Sequence, residues 1–346
     1  MARYKTYDTN QDKLIPVSFA DQIVPGSFEY ALNEIVETHL DLTPFAARYR
    51  NDETGRLAYD PKVLLKIVLF GYYKGIISSR KLAEACNRNV QFMALTADTR
   101  PHFTTIADFV ATMHSEVAAV FADVLVYADG LGLIGKDNFA IDGCKMPSNA
   151  SKEWSGTHKE LRKKQRKLEA AAKKIVARHQ ERDAKEKLSP IAEQDTKKRA
   201  TYEKKIAKIK RFLKTAKKNI GPSGQERKST ITDPQSAKMS TSHGVIQGYN
   251  GVAVVDEKHQ IVVTAQAHGE GQEMHVLEPL VESTKEQFNT AGMAQDVFKQ
   301  TRVIADAGYH SGASIRYTQE NEIDAYVADR NFRQRDPAFA DYDRYK

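Results

Sequence analysis

Near Asn138 the apolar residues of this chain stop recurring every three or four positions and begin to alternate. That change divides the chain, because a 3.6-residue repeat buries one face of a helix whereas a two-residue repeat buries one face of a strand. Upstream, "SFEYALNEIVETHLDL" starts at Ser27 and carries Phe28, Leu32, Ile35, Val36 and Leu40 at helical spacing. "DPKVLLKIVLFGYYKG" offers Asp60 as a cap, Pro61 for the first helical position and Gly75 near the stop. Further helices are predicted at 78–86, capped by Ser78 and Ser79, and as one segment over 104–134. Residues 25–135 therefore read as an all-α domain behind a flexible segment at 1–24. Within it, 78–95 has the look of a helix-turn-helix, with Arg80 and Lys81 on an exposed side.

Downstream, "FAIDG" (139–143), "VIQGYNGVAVVD" (245–256), "QIVVTAQA" (260–267), "RVIADAG" (302–308) and "DAYVAD" (324–329) read as strands. Helical patterns lie at 273–292 and 311–322. This order predicts a multidomain α/β chain whose mixed sheet occupies 136–151 and 230–330, with helices over its faces.

An insertion and linker at 152–229 interrupt the sheet. From Lys152 to Lys218 there are 24 Lys and Arg against nine Asp and Glu, a surplus of +15; the whole chain carries +7, so the rest is at −8. Leu161, Leu168 and Ile175 recur every seven residues, as do Ile206, Leu213 and Ile220, with Ile209 between them and Pro190 midway. Two antiparallel helices on a narrow apolar seam satisfy that pattern, with Trp154 anchoring their base. A basic arm on an acidic body points to a polyanion, foremost double-stranded DNA held by counterion release. Cys86 and Cys144 form no metal pattern and suit a reducing compartment. No apolar run reaches the ~20 residues of a membrane span, and the first residues lack a signal-peptide core. The expected location is the cytoplasm, at the nucleoid.

Asp142 and Asp306 each follow a short β-type run, and each has a glycine close behind, Gly143 and Gly308. At the carboxyl ends of strands in an α/β sheet such groups face the ligand crevice. Two carboxylates brought together repel unless a cation lies between them, and Mg²⁺ favours one or two carboxylates with phosphate and water.

The blocks "AIDGCKMPSNAS", "DPQSAKM…HGVIQGYNGVAVVD" and "VIADAGYHSG", with the helical stretch 59–96, resemble the DDE transposases of bacterial insertion sequences, which have a ribonuclease-H-like core. The resemblance implies that Asp142 and Asp306 are the first two catalytic carboxylates, holding Mg²⁺ in a two-metal site, with Mn²⁺ the other candidate ion. It implies an N-terminal domain that binds terminal inverted repeats, target DNA as a second substrate, and a homodimer in the transposition complex. Lys145, Lys238 and His310 are expected beside the DNA phosphates, with Arg80 and Lys81 in the helical domain. The family's third carboxylate is a glutamate on a helix after the last core strand, and the tail at 331–346 contains none. Impaired cleavage is the expectation, and an inactive DNA-binding remnant or regulator is the alternative.

Overall fold

The chain divides into two units, Met1–Gly132 and Leu133–Lys346. The computed structural model describes residues 16, 18–49, 57–148, 150, 152–183, 190–218, 220 and 224–339. Most of the predicted N-terminal segment and the end of the tail lie outside them.

The first unit is helical: α1 (Phe28–Thr38), α2 (Thr43–Ala46), α3 (Pro61–Tyr73), α4 (Ser79–Arg88), α5 (Val90–Leu95), α6 (Phe103–Thr112) and α7 (His114–Gly130). Ser27 caps α1 by accepting from Tyr30 N at 3.1 Å, and Asp60 caps α3 by accepting from Lys62 N at 2.8 Å. Phe45, Ile67, Phe70, Leu82, Phe92 and Ile106 fill the core. Lys66, the charge that breaks the apolar run of α3, is buried but paired: its Nζ donates to Glu37 Oε1 at 2.9 Å and to Asn33 Oδ1 at 3.0 Å.

Three expectations for this unit are corrected. Ser78 precedes α4 without a side-chain capping bond. The single helix over 104–134 is two, bent by 74° at Met113. Arg48 Nη2 takes the Thr112 carbonyl at 2.6 Å while its Nε pairs with Glu116 at 2.6 Å, and Thr112 Oγ1 bonds back to Asp108 O at 2.7 Å. A carbonyl held by a side chain is diverted from the helical ladder, and back-bonding bends helices. Finally, α5 buries Phe92, Ala94 and Leu95 and half-buries Gln91 and Met93. Its surface goes mainly into packing rather than into an exposed recognition face.

The second unit holds β1 (Asn138–Pro147), β2 (Ser155–Gly156), α8 (His158–Asp183), α9 (Pro190–Thr215), β3 (Ser229–Thr230), β4 (Ala237–Thr241), β5 (Gly244–Asp256), β6 (Val262–His268), α10 (Leu277–Thr290), β7 (Arg302–Ala305), α11 (Gly312–Glu320), β8 (Ala325–Val327) and α12 (Phe332–Arg335). The main sheet runs β4-β5-β1-β7-β8, with β6 also on β5. β4, β5, β6 and β1 pair antiparallel, whereas β1, β7 and β8 are parallel. This mixed α/β order is that of a ribonuclease-H-like core. α10 supplies Leu277, Leu280, Val281 and Phe288 to one face, where Phe139 meets Phe288 and Phe298 with ring centroids 5.8 and 5.9 Å apart.

β4 and its two-residue turn to β5 extend the predicted sheet: Thr241 faces Gly244, whose φ of +109° suits glycine. Lys145 and Lys238, expected in loops, sit on β1 and β4.

The arm is the predicted helix pair, each helix ~39 Å long at 1.5 Å per residue. Leu161, Ile175, Ile206, Ile209 and Phe212 are buried along its seam. Phe212 takes the buried place expected of Leu213, and Ile220 lies beyond the end of α9, 53 % exposed. Trp154 packs with Leu161, Ile209 and Phe212 and receives Lys164 Nζ 4.3 Å from its ring centre, so it anchors the base. There His158 Nδ1 meets Glu226 Oε1 at 2.6 Å and its Nε2 meets Ala216 O at 3.2 Å, tying both helix ends to the returning chain.

Candidate active site

Asp142 lies within β1, opposite Ala253 of β5, and Asp306 directly follows β7. The strand-end position expected for Asp142 is corrected, because β1 runs on to Pro147 along β5, yet both aspartates come one residue after the last pair of the parallel β1–β7 register. The β1–β7 register pairs Ile141 with Ala305, and both of these are buried. Paired residues of parallel strands face the same side and successive residues alternate, so the next position on each strand turns to the exposed side. Both aspartates are indeed exposed. Asp142 Oδ1 accepts from Gly143 N at 2.7 Å, and Asp306 Oδ1 from Gly308 N at 2.8 Å, where it caps the turn Ala307–Tyr309. Each carboxylate is thus oriented through one oxygen by a backbone N–H one or two residues further on.

Beside Gly143 stands Tyr309, fully buried, with no hydrogen-bond partner for its hydroxyl among the described residues. Burial holds that hydroxyl in its neutral form, and the negative charges of Glu273, Asp142 and Asp306 push its pKa up further. A Cβ placed on Gly143 would stand 3.1 Å from the hydroxyl oxygen. One on Gly308 would collide with Glu273 Oε2 and stand 2.9 Å from Asp306 Oδ1. Gly308 therefore keeps the space between Glu273 and Asp306 clear, while Gly143 leaves room for the Tyr309 hydroxyl. Glu273 Oε1 accepts from Asn250 Nδ2 at 3.3 Å, and Asn250 is fully buried with its Oδ1 unpartnered.

Sequence reasoning missed Glu273, Tyr309 and Asn250. A polar Asn inside the apolar alternation of "GYNGVAVV" and the tyrosine within "ADAGYHSG" were the available signals.

The donors gathered here are hard oxygens, which suit Mg²⁺ rather than a softer ion. Among the described residues no three His, Cys, Asp or Glu side chains stand close enough to hold a metal by themselves. Two aspartates sharing an ion with phosphate and water fit that arrangement.

A basic rim borders the aspartates. Lys145 lines the clefts shared with Gly143, Gly308 and Glu273, and its Nζ donates to Ser240 O at 3.0 Å. It also lines an open groove of about 860 Å³ with Lys238, Arg227, Lys228 and His275. His310 is drawn elsewhere: its Nε2 lies 4.0 Å from Asp329 Oδ1, a carboxylate that also pairs with Arg335. Asp233, from the "DPQSA" block, accepts from Ser148 Oγ at 2.6 Å and Tyr249 Oη at 2.5 Å, stapling its loop to the sheet. Burial and this carboxylate push the Tyr249 phenol up to about 12.

Arg80 and Lys81 belong to the helical unit, exposed on α4, with the Arg80 guanidinium 3.8 Å from the Phe103 ring centre. Cys86 is buried, its thiol pushed up to about 11 by desolvation, and therefore inert.

Two family models match the chain: "Transposase domain (DUF772)" over residues 17–112 and "Transposase DDE domain" over residues 212–337. The second includes Glu273 and Asp306, while Asp142 lies outside it. Comparison with curated proteins and with solved structures gave no match.

Proposed function

Because the chain belongs to the DDE transposases, we propose that Asp142 and Asp306 hold a divalent ion in a site that cleaves and rejoins DNA strands at the ends of an insertion sequence. The observation that carries this reading is the parallel register of β1 and β7, whose last pair, Ile141 and Ala305, immediately precedes the two exposed aspartates. Mg²⁺, or Mn²⁺ in its place, would supply Lewis-acid stabilisation of the charge that develops on a phosphate.

The chain's own residues supply placement. Asp142 and Asp306 retain and orient the ion, and Gly143 and Gly308 admit a sugar–phosphate backbone close to them. Lys145 and Lys238 bind the flanking phosphates as point charges along the groove. Held in this way, the scissile phosphorus gains a bond to a water oxygen as its bond to the 3′ oxygen breaks and that oxygen takes up a proton. The freed 3′-hydroxyl oxygen then bonds to a target phosphorus as the bond from that phosphorus to the target's own 3′ oxygen breaks, the proton passing to the departing oxygen. The arm adds sequence-independent attraction for double-stranded DNA, and α4, through Arg80 and Lys81, contributes to holding the terminal repeats. A homodimer pairing two ends belongs to the same reading. His310, drawn toward Asp329, acts on that loop before it acts on DNA.

The test is a nicking and strand-transfer assay with Mg²⁺ and DNA from the two flanks of the gene. Asp142→Asn and Asp306→Asn should abolish nicking and keep the band shift. Undiminished nicking by either variant would refute the reading, and binding without nicking by the unaltered protein would favour a non-catalytic regulator.

A further inference from the structure

We propose that Glu273 is a third carboxylate of this centre, sharing the divalent ion with Asp306. The inference rests on the reading above and adds a residue to it. Glu273 comes from the loop between β6 and α10, far in sequence from both aspartates, yet its Oε2 and Asp306 Oδ1 flank the same point above the Gly308 backbone. That crowding is tolerated only because residue 308 has no side chain.

The carboxylate has no fold-building task that would explain it. α10 begins without a side-chain cap, and Glu273 contributes only its backbone carbonyl there, accepting from Val276 N at 3.0 Å. Its side-chain hydrogen bond is from Asn250 Nδ2, which fixes Oε1 and turns Oε2 toward Asp306. A buried asparagine devoted to orienting a glutamate is the support that a ligand-binding carboxylate receives.

The independent sign of a ligand is Tyr309. Its hydroxyl is fully buried and unpartnered, and it lies among Glu273, Asp142 and Asp306. A buried donor left without an acceptor is costly, and an oxygen ligand of an ion, water or phosphate, would satisfy it. Lys145 and Arg330 line the same cleft as Glu273 and Gly308, which is a fitting border for a phosphate. Glu273 and Asp306, whose oxygens flank the same point above Gly308, repel each other, and a divalent cation would relieve that repulsion.

The experiment is Mn²⁺ titration of the full chain, followed by electron paramagnetic resonance of the free ion, for the wild type, Glu273→Gln and Asp306→Asn. Glu278→Gln removes the same charge from the exposed surface of α10 and serves as control. We expect Glu273→Gln to raise the Mn²⁺ Kd about tenfold or more and Glu278→Gln to leave it within twofold. In EDTA, Glu273→Gln should melt at the wild-type temperature or above, because a repelling charge is gone; a purely structural role would lower it. Wild-type affinity in Glu273→Gln, with Asp306→Asn weakened, overturns the inference and leaves the aspartate pair standing. Unchanged affinity in Asp306→Asn and Asp142→Asn as well sinks the underlying reading. Glu273→Asp provides the same comparison should Glu273→Gln not fold: its shorter side chain should also weaken binding, and wild-type affinity there overturns the inference equally.

Discussion

In the sheet, Asp142 and Asp306 are fixed by hydrogen-bonded register over a buried layer of Phe139, Ile141, Val303 and Ala305. In the arm, α8 and α9 share one thin seam of Leu161, Ile175, Ile206, Ile209 and Phe212, and the surrounding surface is Lys and Arg. The difference follows from what each is asked to do. Two carboxylates that grip one ion must be held to a fraction of an ångström, and only a packed, laddered support achieves that. Attraction for a phosphate backbone falls off over a Debye length of about 8–10 Å, so a cation on a slender helix serves as well as one on a rigid core. On the proposed reading, the sheet would carry the chemistry and the arm the affinity.

Substitutions can break that division of labour. The largest effect is expected at the sheet: Asp142→Asn should reduce nicking by more than about 100-fold, the scale of losing one transition-state stabiliser, and should leave the salt dependence of DNA binding unchanged. The arm should show the reverse. Replacing the exposed Lys163, Lys167, Lys204 and Lys208 together by Gln should flatten log Kd against log salt by up to ~3–4, with the nicking rate at saturating DNA preserved. A rate loss matching that of Asp142→Asn would erase the distinction. A stability test comes next. Ile209→Ala, at a fully buried seam position, should cost about 3 kcal/mol and raise amide exchange throughout α8 and α9, while β1, β5 and β7 stay protected.

The helical unit provides the smallest expected effect and a control outside both regions. Arg48 holds the Glu116 carboxyl down to about 2, against an ordinary value of 4.5. A carboxylate whose folded pKa is depressed stabilises the fold above its unfolded pKa and loses that contribution as pH falls toward the folded value. Thermal midpoints should therefore decline between about pH 4.5 and 2 through this pair, and Arg48→Met should remove that part of the slope.

What was legible in the sequence was the local part. The change of period at Asn138, the caps at Ser27 and Asp60 and the seven-residue spacing in the arm all express neighbours along the chain, and the corresponding elements are present. Asp142 and Asp306 were readable because an aspartate after a short β-type run with a glycine close behind is a local signal; that β1 runs on to Pro147 was not, since it depends on pairing with β5. The break at Met113 was not readable, since the Arg48 guanidinium that holds the Thr112 carbonyl there comes from 64 residues away. β4 was hidden because "AKMST" alternates weakly and becomes a strand only by pairing with β5. Glu273 was assigned to the start of a helix, but α10 begins at Leu277, and the loop before it folds back over Gly308. That position depends on Gly269 and Gly271 packing tightly against Gln235 and Met239, contacts no spacing rule announces.

The central claim is that two aspartates on neighbouring parallel strands grip one ion. Crystals of the protein bound to flank DNA and soaked in Mn²⁺ would test it by anomalous scattering. The account predicts a peak about 2.1 Å from a carboxylate oxygen of both Asp142 and Asp306. A Mn²⁺ peak that touches neither of them, with DNA bound in the groove, would contradict it.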